Sequence, residues 1–381
     1  MKTINYYVIT LMTIVAVLFT ACKENGPQDE DSKIKNGSQE AVDAACNQWK
    51  QSRQYWEWSE AFLFGPATTY GIDPHTDTWP FAKAQFENLM KKYNPASDED
   101  DAAFIDEYIA TGQSSAGFHA VEYIIFRDGQ PRSISDFTED EVYYAVAASK
   151  DLYLAAIKLV AAWGGEISKD EEKILEDAEW EPENNYGEEH FLNQSGTNAA
   201  VQIIEGCHDI IGEVSEAKIG SAYTGEDTDY IESPYAHNSI QDFKDNVLSC
   251  QHALFGGLDA TQPLEGSLIA YTDAVPAMQE QSAKVKTALA NAIAKIEAMK
   301  KPFVLNYSDI SSKNAMDALN ELDEELDELE DLLKAYANNE TQNTQLKATA
   351  EKYYQNVVLA TYRGLADQGK RLAERVEKIS Q

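Results

Sequence analysis

Thiol chemistry has little to draw on in this sequence. Four cysteines occur in 381 residues, and none is spaced as a C-x-x-C metal or redox pair. Beyond Cys22 only Cys46, Cys207 and Cys250 remain, an odd number that permits at most one disulfide, so the fold must stand on packing. Positive charge is short as well. Against 65 Asp and Glu there are 31 Lys and Arg, which leaves a net charge of −34. Nucleic acid and anionic membrane surfaces are poor partners for such a field, whereas cations are concentrated by it. Strand-like alternation is missing throughout, which points to an all-α fold. H-E-x-x-H, the signature of many zinc peptidases, is absent. The inverted H-x-x-E-H fails because Tyr123 stands where its second histidine would be.

What is present begins with a targeting segment. Lys2 supplies a positive start, and residues 8–19 form an apolar run too short to span a bilayer comfortably. The run ends in Leu18-Phe19-Thr20-Ala21-Cys22, small residues before a cysteine, as in a bacterial lipoprotein signal. Phe19 departs from that pattern, and an ordinary secretory cleavage site is the alternative. Residues 1–21 are thus expected to be removed and Cys22 lipidated, tying the protein to a membrane surface by acyl chains alone. That segment carries only Lys2, so the remainder has a charge of −35, from −34 less one. Residues 22–37 are polar and aperiodic and read as a flexible tether.

The body of about 340 residues suffices for two domains or one large one. Residues 38–64 read as a first long helix, with Ser38 as N-cap and Gly65-Pro66 as stop. Shorter helices are expected at about 80–93 and 99–111, and others near 138–164, 168–179 and 191–218. A Gly/Asp/Pro-rich stretch at 221–235 sets a boundary, dividing the body into an N-terminal helical domain (38–225) and a C-terminal helical bundle (226–381). After the boundary, Ser239-x-x-Asp242 fits a capping box. In the bundle, Val285, Leu289, Ile293, Ile296 and Met299 form one stripe. Leu319, Leu322, Leu326, Leu329 and Leu333 form a second. Tyr354, Val358, Leu365 and Leu372 mark a third.

Two helical stretches carry chemistry. In Gly117-Phe118-His119-Ala120-Val121-Glu122, His119 and Glu122 are i and i+3 on one helical face. Their neighbours are apolar, so the face is buried, and a buried imidazole and carboxylate need partners, either a cation or hydrogen bonds. A His–Glu pair that only stabilises its own helix is the plainer alternative. Glu57-x-x-Glu60, flanked by Trp56, Trp58 and Phe62, sets two carboxylates one turn apart, which repel unless a cation lies between them. The plainer alternative is that Arg53 pairs Glu57 at i+4 and both glutamates are solvated. In the loop after this helix stand Asp73, His75 and Asp77, where His75 reads as an exposed loop histidine.

Gly117-x-His119-x-x-Glu122 resembles the signature of the imelysin family of bacterial envelope proteins, a group that includes iron-regulated lipoproteins. Two further stretches resemble it in order: Trp56-Glu57-Trp58-Ser59-Glu60 through Pro66, and Glu232-Ser233-Pro234-Tyr235-Ala236-His237-Asn238-Ser239 through Phe243, with Asn246 beyond. The resemblance covers about residues 40–260. It implies two helical halves, and a weak echo between Ala61-Phe62-Leu63-Phe64-Gly65 and Ala253-Leu254-Phe255-Gly256 fits a divergent tandem duplication. It also implies a metal ion, iron first and zinc second, held by His119, Glu122, Glu57 and Glu60, with Asp73 or Asp77 as a fifth ligand. Imidazole with several carboxylates is a mixed N/O set that suits such metals. The resemblance further places Ser233, His237, Asn238, Ser239 and Asp242 opposite His119 at a domain interface. Its functional implication is an envelope lipoprotein of iron uptake, with envelope iron-uptake proteins as partners. A metallopeptidase of the imelysin type is one alternative. A non-catalytic surface protein binding cation-bridged acidic polysaccharide is another.

Overall fold

Ser38 opens the first helix, α1 (Gln39–Glu57): its hydroxyl accepts a hydrogen bond from Ala41 N at 3.2 Å. A side-chain acceptor there satisfies one of the free amides of the first turn. The structure, a computed structural model, describes residue 34 and residues 37–111, 114–337 and 339–381. The segment assigned to the signal, Cys22 and nearly all of the tether therefore lie outside the described residues.

The expected single helix to residue 64 is shorter. The α conformation ends at Glu57, a 3₁₀ turn follows at Glu60–Phe62, and Gly65 stops the segment at a φ of +74°. A single helical turn at Pro66–Thr69 and a short helix α2 (Ile72–Thr76) come next, and helices at Lys83–Lys92 and Glu99–Ala110 lead to α3 (Gly117–Ile125). After α3 the chain makes a hairpin that the sequence did not announce, two residues per strand: β1 (Phe126–Arg127) pairs antiparallel with β2 (Gln130–Pro131). Next is α4 (Glu139–Ala162), closed at its start by a capping box between Thr138 and Glu141. Then come α5 (Gly196–Glu213), α6 (Ser239–Phe255), α7 (Gln279–Glu297), α8 (Ile310–Tyr336), α9 (Glu340–Tyr353) and α10 (Ala360–Glu377). Two junctions depart from α geometry. Val214–Ser221 continues α5, and Tyr354–Leu359 joins α9 to α10, both as π-helix.

The capping box expected at Ser239 and Asp242 does not form. Asn238 is the N-cap, Ser239 Oγ donates instead to the Glu232 carbonyl at 2.6 Å, and Asp242 Oδ1 accepts from Asn238 Nδ2 at 2.6 Å. The side chains that looked like a cap hold the preceding turn in place.

The second leucine stripe is fully buried between α7 and α8, which run along each other. Helix α5 packs on α6, α8 and α9, while α10 lies against both α1 and α4. The last helix thus returns to the first, α6 also touches α1, and α5 packs on three later helices, so contacts cross residue 225 along much of the body. The fold is all-α apart from the small hairpin. Cys46, Cys207 and Cys250 are free and buried. Among the described residues no helix is long and apolar enough to cross a membrane.

Candidate metal centre

Helix α3 is seated by its first residue. Gly117 has a φ of +70°, and a Cβ there would overlap the carbonyl oxygen of Thr76. Only glycine allows both the backbone angle and the approach. The contact brings Asp77, which caps α2, beside the ring of His119. On the opposite side Trp49 Nε1 donates to the Phe118 carbonyl at 3.0 Å, fixing α3 to α1.

His119 is held at both nitrogens. Nδ1 lies 2.9 Å from Glu122 Oε2, and Nε2 lies 3.1 Å from Asp77 Oδ1, an ion-pair distance without hydrogen-bond alignment. The other Glu122 oxygen accepts from the backbone N–H of Tyr235 and of Ala236, both at 2.8 Å. Glu122 therefore fixes the ring orientation and also ties α3 to the turn before α6. Such a carboxylate–histidine arrangement fixes the ring and leaves the far nitrogen to face its other neighbours.

Two sets of buried donor side chains meet at Glu232, one of which includes His119. Asp77, His119 and Glu232 bring one donor atom each within 4.8 Å of one another, as do Glu57, Glu232 and Asp242. Arg53, from α1, pairs with Asp77 and Glu57, and its Nη2 lies 2.5 Å from Glu232 Oε1. Lys218 Nζ lies 3.1 Å from the same oxygen. Asn246 Nδ2 donates to Glu57 Oε2, and Trp56 Nε1 donates to Asp77 Oδ2 at 2.8 Å. All of these groups are buried.

The charge does not balance. Six buried carboxylates (Glu57, Glu60, Asp77, Glu122, Glu232, Asp242) surround two permanent buried cations, Arg53 and Lys218. A protonated His119 makes three. Taking so many charges out of water pushes some carboxyls to keep their protons. Burial raises Glu57 and Glu60 well above the usual carboxylate range and Asp242 to about 7. Asp77 goes the other way: burial opposes its ionisation, but Arg53 and then His119 outweigh that and hold it below the usual range. Burial likewise disfavours a charged His119, yet its contacts with Asp77 and Glu122 prevail and hold it up to about 9. Several buried polar atoms here have no hydrogen-bond partner, among them His119 Nε2, Glu57 Oε1, Glu232 Oε2 and Asp242 Oδ2. Of these, Glu57 Oε1 still faces Arg53 and His119 Nε2 still faces Asp77 as ion pairs, which leaves Glu232 Oε2 and Asp242 Oδ2, one from each donor set, as buried acceptors of a kind that is nearly always paired. Imidazole nitrogen and carboxylate oxygens fit a borderline or hard cation.

The sequence-derived site residues sort as follows. His119, Asp77, Glu57 and Asp242 belong to the two converging sets. Glu60 is buried beside them but contributes to neither. Asp73 is half-buried, also outside the sets, and is raised to about 6 by burial and then by Asp77. The geometry therefore favours Asp77 over Asp73. Glu122, expected as a ligand, has one oxygen against His119 Nδ1 and the other against two backbone amides. Both glutamates of Glu57-x-x-Glu60 are buried rather than solvated, although Arg53 does pair with Glu57. His75 is partly exposed and pairs with Asp151. Ser233 is buried, at a φ of +47°, with Oγ unpartnered. Asn238 and Ser239 hold the turn, and His237, at a φ of +53°, packs against Gly129 of the hairpin. Glu232 and Lys218 were not anticipated. Glu232 heads the third matching stretch, which was its only signal.

A cleft of about 630 Å³ opens over the His119 side of this cluster, lined in part by Trp79, Phe81, Ile231, Pro234 and Tyr235.

Compared with known proteins, the chain matches the family model described as imelysin over residues 28–333. This chain belongs to the imelysin family. Iron-regulated protein A of Synechococcus elongatus is 27% identical over 205 residues, 54% of this chain and 50% of that protein. The matched part thus spans about half the length of that curated relative. A crystal structure described as an iron-regulated protein A precursor from Parabacteroides distasonis superposes with a TM-score of 0.63 at 26% identity. It covers 78% of this chain and 84% of that one, so the imelysin fold extends over most of the described helices. An imelysin peptidase from Bacteroides ovatus gives a TM-score of 0.49 at 26% identity, over 61% of this chain and 65% of that one.

Proposed function

We propose that this imelysin-family protein binds one metal ion, iron in the first instance and zinc as the alternative, at the buried centre around His119. The observation that carries the reading is His119 itself. Its Nδ1 is fixed by Glu122, and its Nε2 faces Asp77 Oδ1 at 3.1 Å with Glu232 in the same donor set, inside an excess of buried carboxylate. His119, Asp77 and Glu232 are the assigned ligands, with Glu57 and Asp242 closing the far side through Glu232. Glu122 orients the imidazole. The relative named as iron-regulated supports iron over other metals of similar preference. The lipoprotein-like sequence that ends at Cys22 supports an envelope location, with Cys22 as lipid anchor and a role in delivering iron to envelope uptake partners.

The test is calorimetric titration of zinc, and of ferrous iron without oxygen, into wild type, His119→Ala and Glu232→Gln. Wild type is expected to bind one ion, and each variant to lose at least about tenfold in affinity, about 1.4 kcal/mol. Variants that bind as wild type does would overturn the assignment.

A further inference from the structure

We propose that Lys218 is a built-in competitor for the metal, whose ammonium occupies the carboxylates of the centre and moves to Glu213 when a metal ion takes its place. This rests on the metal reading above. Lys218 is fully buried and lies in the π-helical stretch Val214–Ser221, an uncommon backbone form that recurs at functional sites. Its Nζ stands between two groups of acids. Glu232 Oε1 at 3.1 Å and Glu57 Oε2 at 3.9 Å belong to the centre, and Glu213 Oε1 at 3.8 Å does not. The Trp79 ring covers the ammonium, with the centroid 5.1 Å away.

A metal ion on Glu232 and an ammonium on the same carboxylate repel strongly in a buried site, so both cannot stay in place. One of the two resident cations must yield. Arg53 is the harder to move. Its planar guanidinium is shared by Asp77, Glu57 and Glu232 together and lies 5.3 Å from the Phe118 ring. Lys218 is a point charge on a flexible four-carbon stem. A second carboxylate waits within a short swing, and the Glu213 side chain is 42% exposed, so the ammonium regains water as it moves. The lysine then has two positions with an acid at each, and the metal chooses between them. Displacing the ammonium costs every incoming cation the same, and only an ion strongly attracted to the carboxylates can meet that cost, so the centre stays internally compensated until a multivalent ion arrives.

The experiment uses zinc and anaerobic ferrous iron as probes, on wild type, Lys218→Met, Glu213→Gln and the double variant. Removing the competitor should tighten metal binding about tenfold, equivalent to about 1.4 kcal/mol. Removing its second seat should weaken binding several-fold. In the Lys218→Met background, Glu213→Gln should change nothing, since no ammonium is left to receive. Lys218→Met that binds metal no better than wild type overturns the proposal, as does a Glu213→Gln effect of equal size in both backgrounds. If Lys218→Met does not fold, Glu213→Gln against wild type decides, and an unchanged affinity overturns it. Wild type that binds neither ion overturns the metal reading itself and this proposal with it.

Discussion

Glu122 separates a structural from a ligand role, and two substitutions there should behave differently. Its buried carboxylate receives two backbone N–H groups at 2.8 Å and faces the buried His119 Nδ1 at 2.9 Å. Hydrogen bonds to a charged group contribute roughly 1.5–3 kcal/mol each, and breaking a buried pair by removing one partner costs about 3–5 kcal/mol. Glu122→Ala should therefore lower the stability of the metal-free protein by about 3–5 kcal/mol. At about 2 °C per kcal/mol for a chain of this size, melting should fall by roughly 6–10 °C. Glu122→Gln keeps a carbonyl oxygen for Tyr235 and Ala236, so its cost should be nearer about 1–2 kcal/mol. Its amide group, however, is a donor facing His119 Nδ1. The ring answers by moving its hydrogen to Nε2, the atom assigned to the metal, and affinity should fall by about 10–100-fold. Melting curves of the metal-free variants, paired with zinc titrations, read both effects. A Glu122→Ala protein that melts like wild type would refute the structural role. A Glu122→Gln protein with undiminished zinc affinity would refute the tautomer argument.

Other consequences are open to measurement. Gly117→Ala must adopt a left-handed φ and displace the Thr76 carbonyl, so thermal melting should show a loss of at least about 2 kcal/mol, and zinc affinity should drop as Asp77 moves from His119. The pH dependence has a definite sign. His119, held up to about 9 from an ordinary 6.5, binds its proton more tightly when folded. Its contribution, roughly 3 kcal/mol, is present below about 6.5 and lost as pH rises through about 9. Asp242, pushed up to about 7 by burial, adds a loss of the same sign between about 4 and 7. Melting temperatures of the metal-free protein should therefore decline from mildly acidic to alkaline pH, while metal affinity rises between about 6.5 and 9 as the ring gives up its proton. A flat melting profile across that window would refute the burial of a charged histidine. For the anchor, palmitate labelling should vanish in Cys22→Ala, and labelling that persists would remove Cys22 from that role.

Local signals carried the fold. The Ser38 and Thr138 caps, the leucines of α8 and the stops at Gly65 and Gly256 are all set by neighbours a few residues away. At the site, His119 could be found because Gly117 and Glu122 stand beside it in sequence. What Glu122 does could not, since its partners are main-chain amides more than a hundred residues on, and amides carry no side-chain signature. Lys218 looked like one more basic residue near a helix end. Only the π turn that carries it inward, and the return of Glu232 from the far side of the boundary, make it a partner of α1. The Ser239/Asp242 box misled for a related reason: tertiary acceptors outcompeted the local cap.

The central assignment is most directly tested by anomalous diffraction from crystals soaked in zinc or, without oxygen, in ferrous salts. The metal reading predicts one strong peak at about 2.0–2.2 Å from His119 Nε2, with carboxylate oxygens of Asp77 and Glu232 in its coordination shell. Lys218 should be turned toward Glu213. No peak at His119, with Arg53 and Lys218 still on Glu232 and metal only at surface carboxylates, would contradict it.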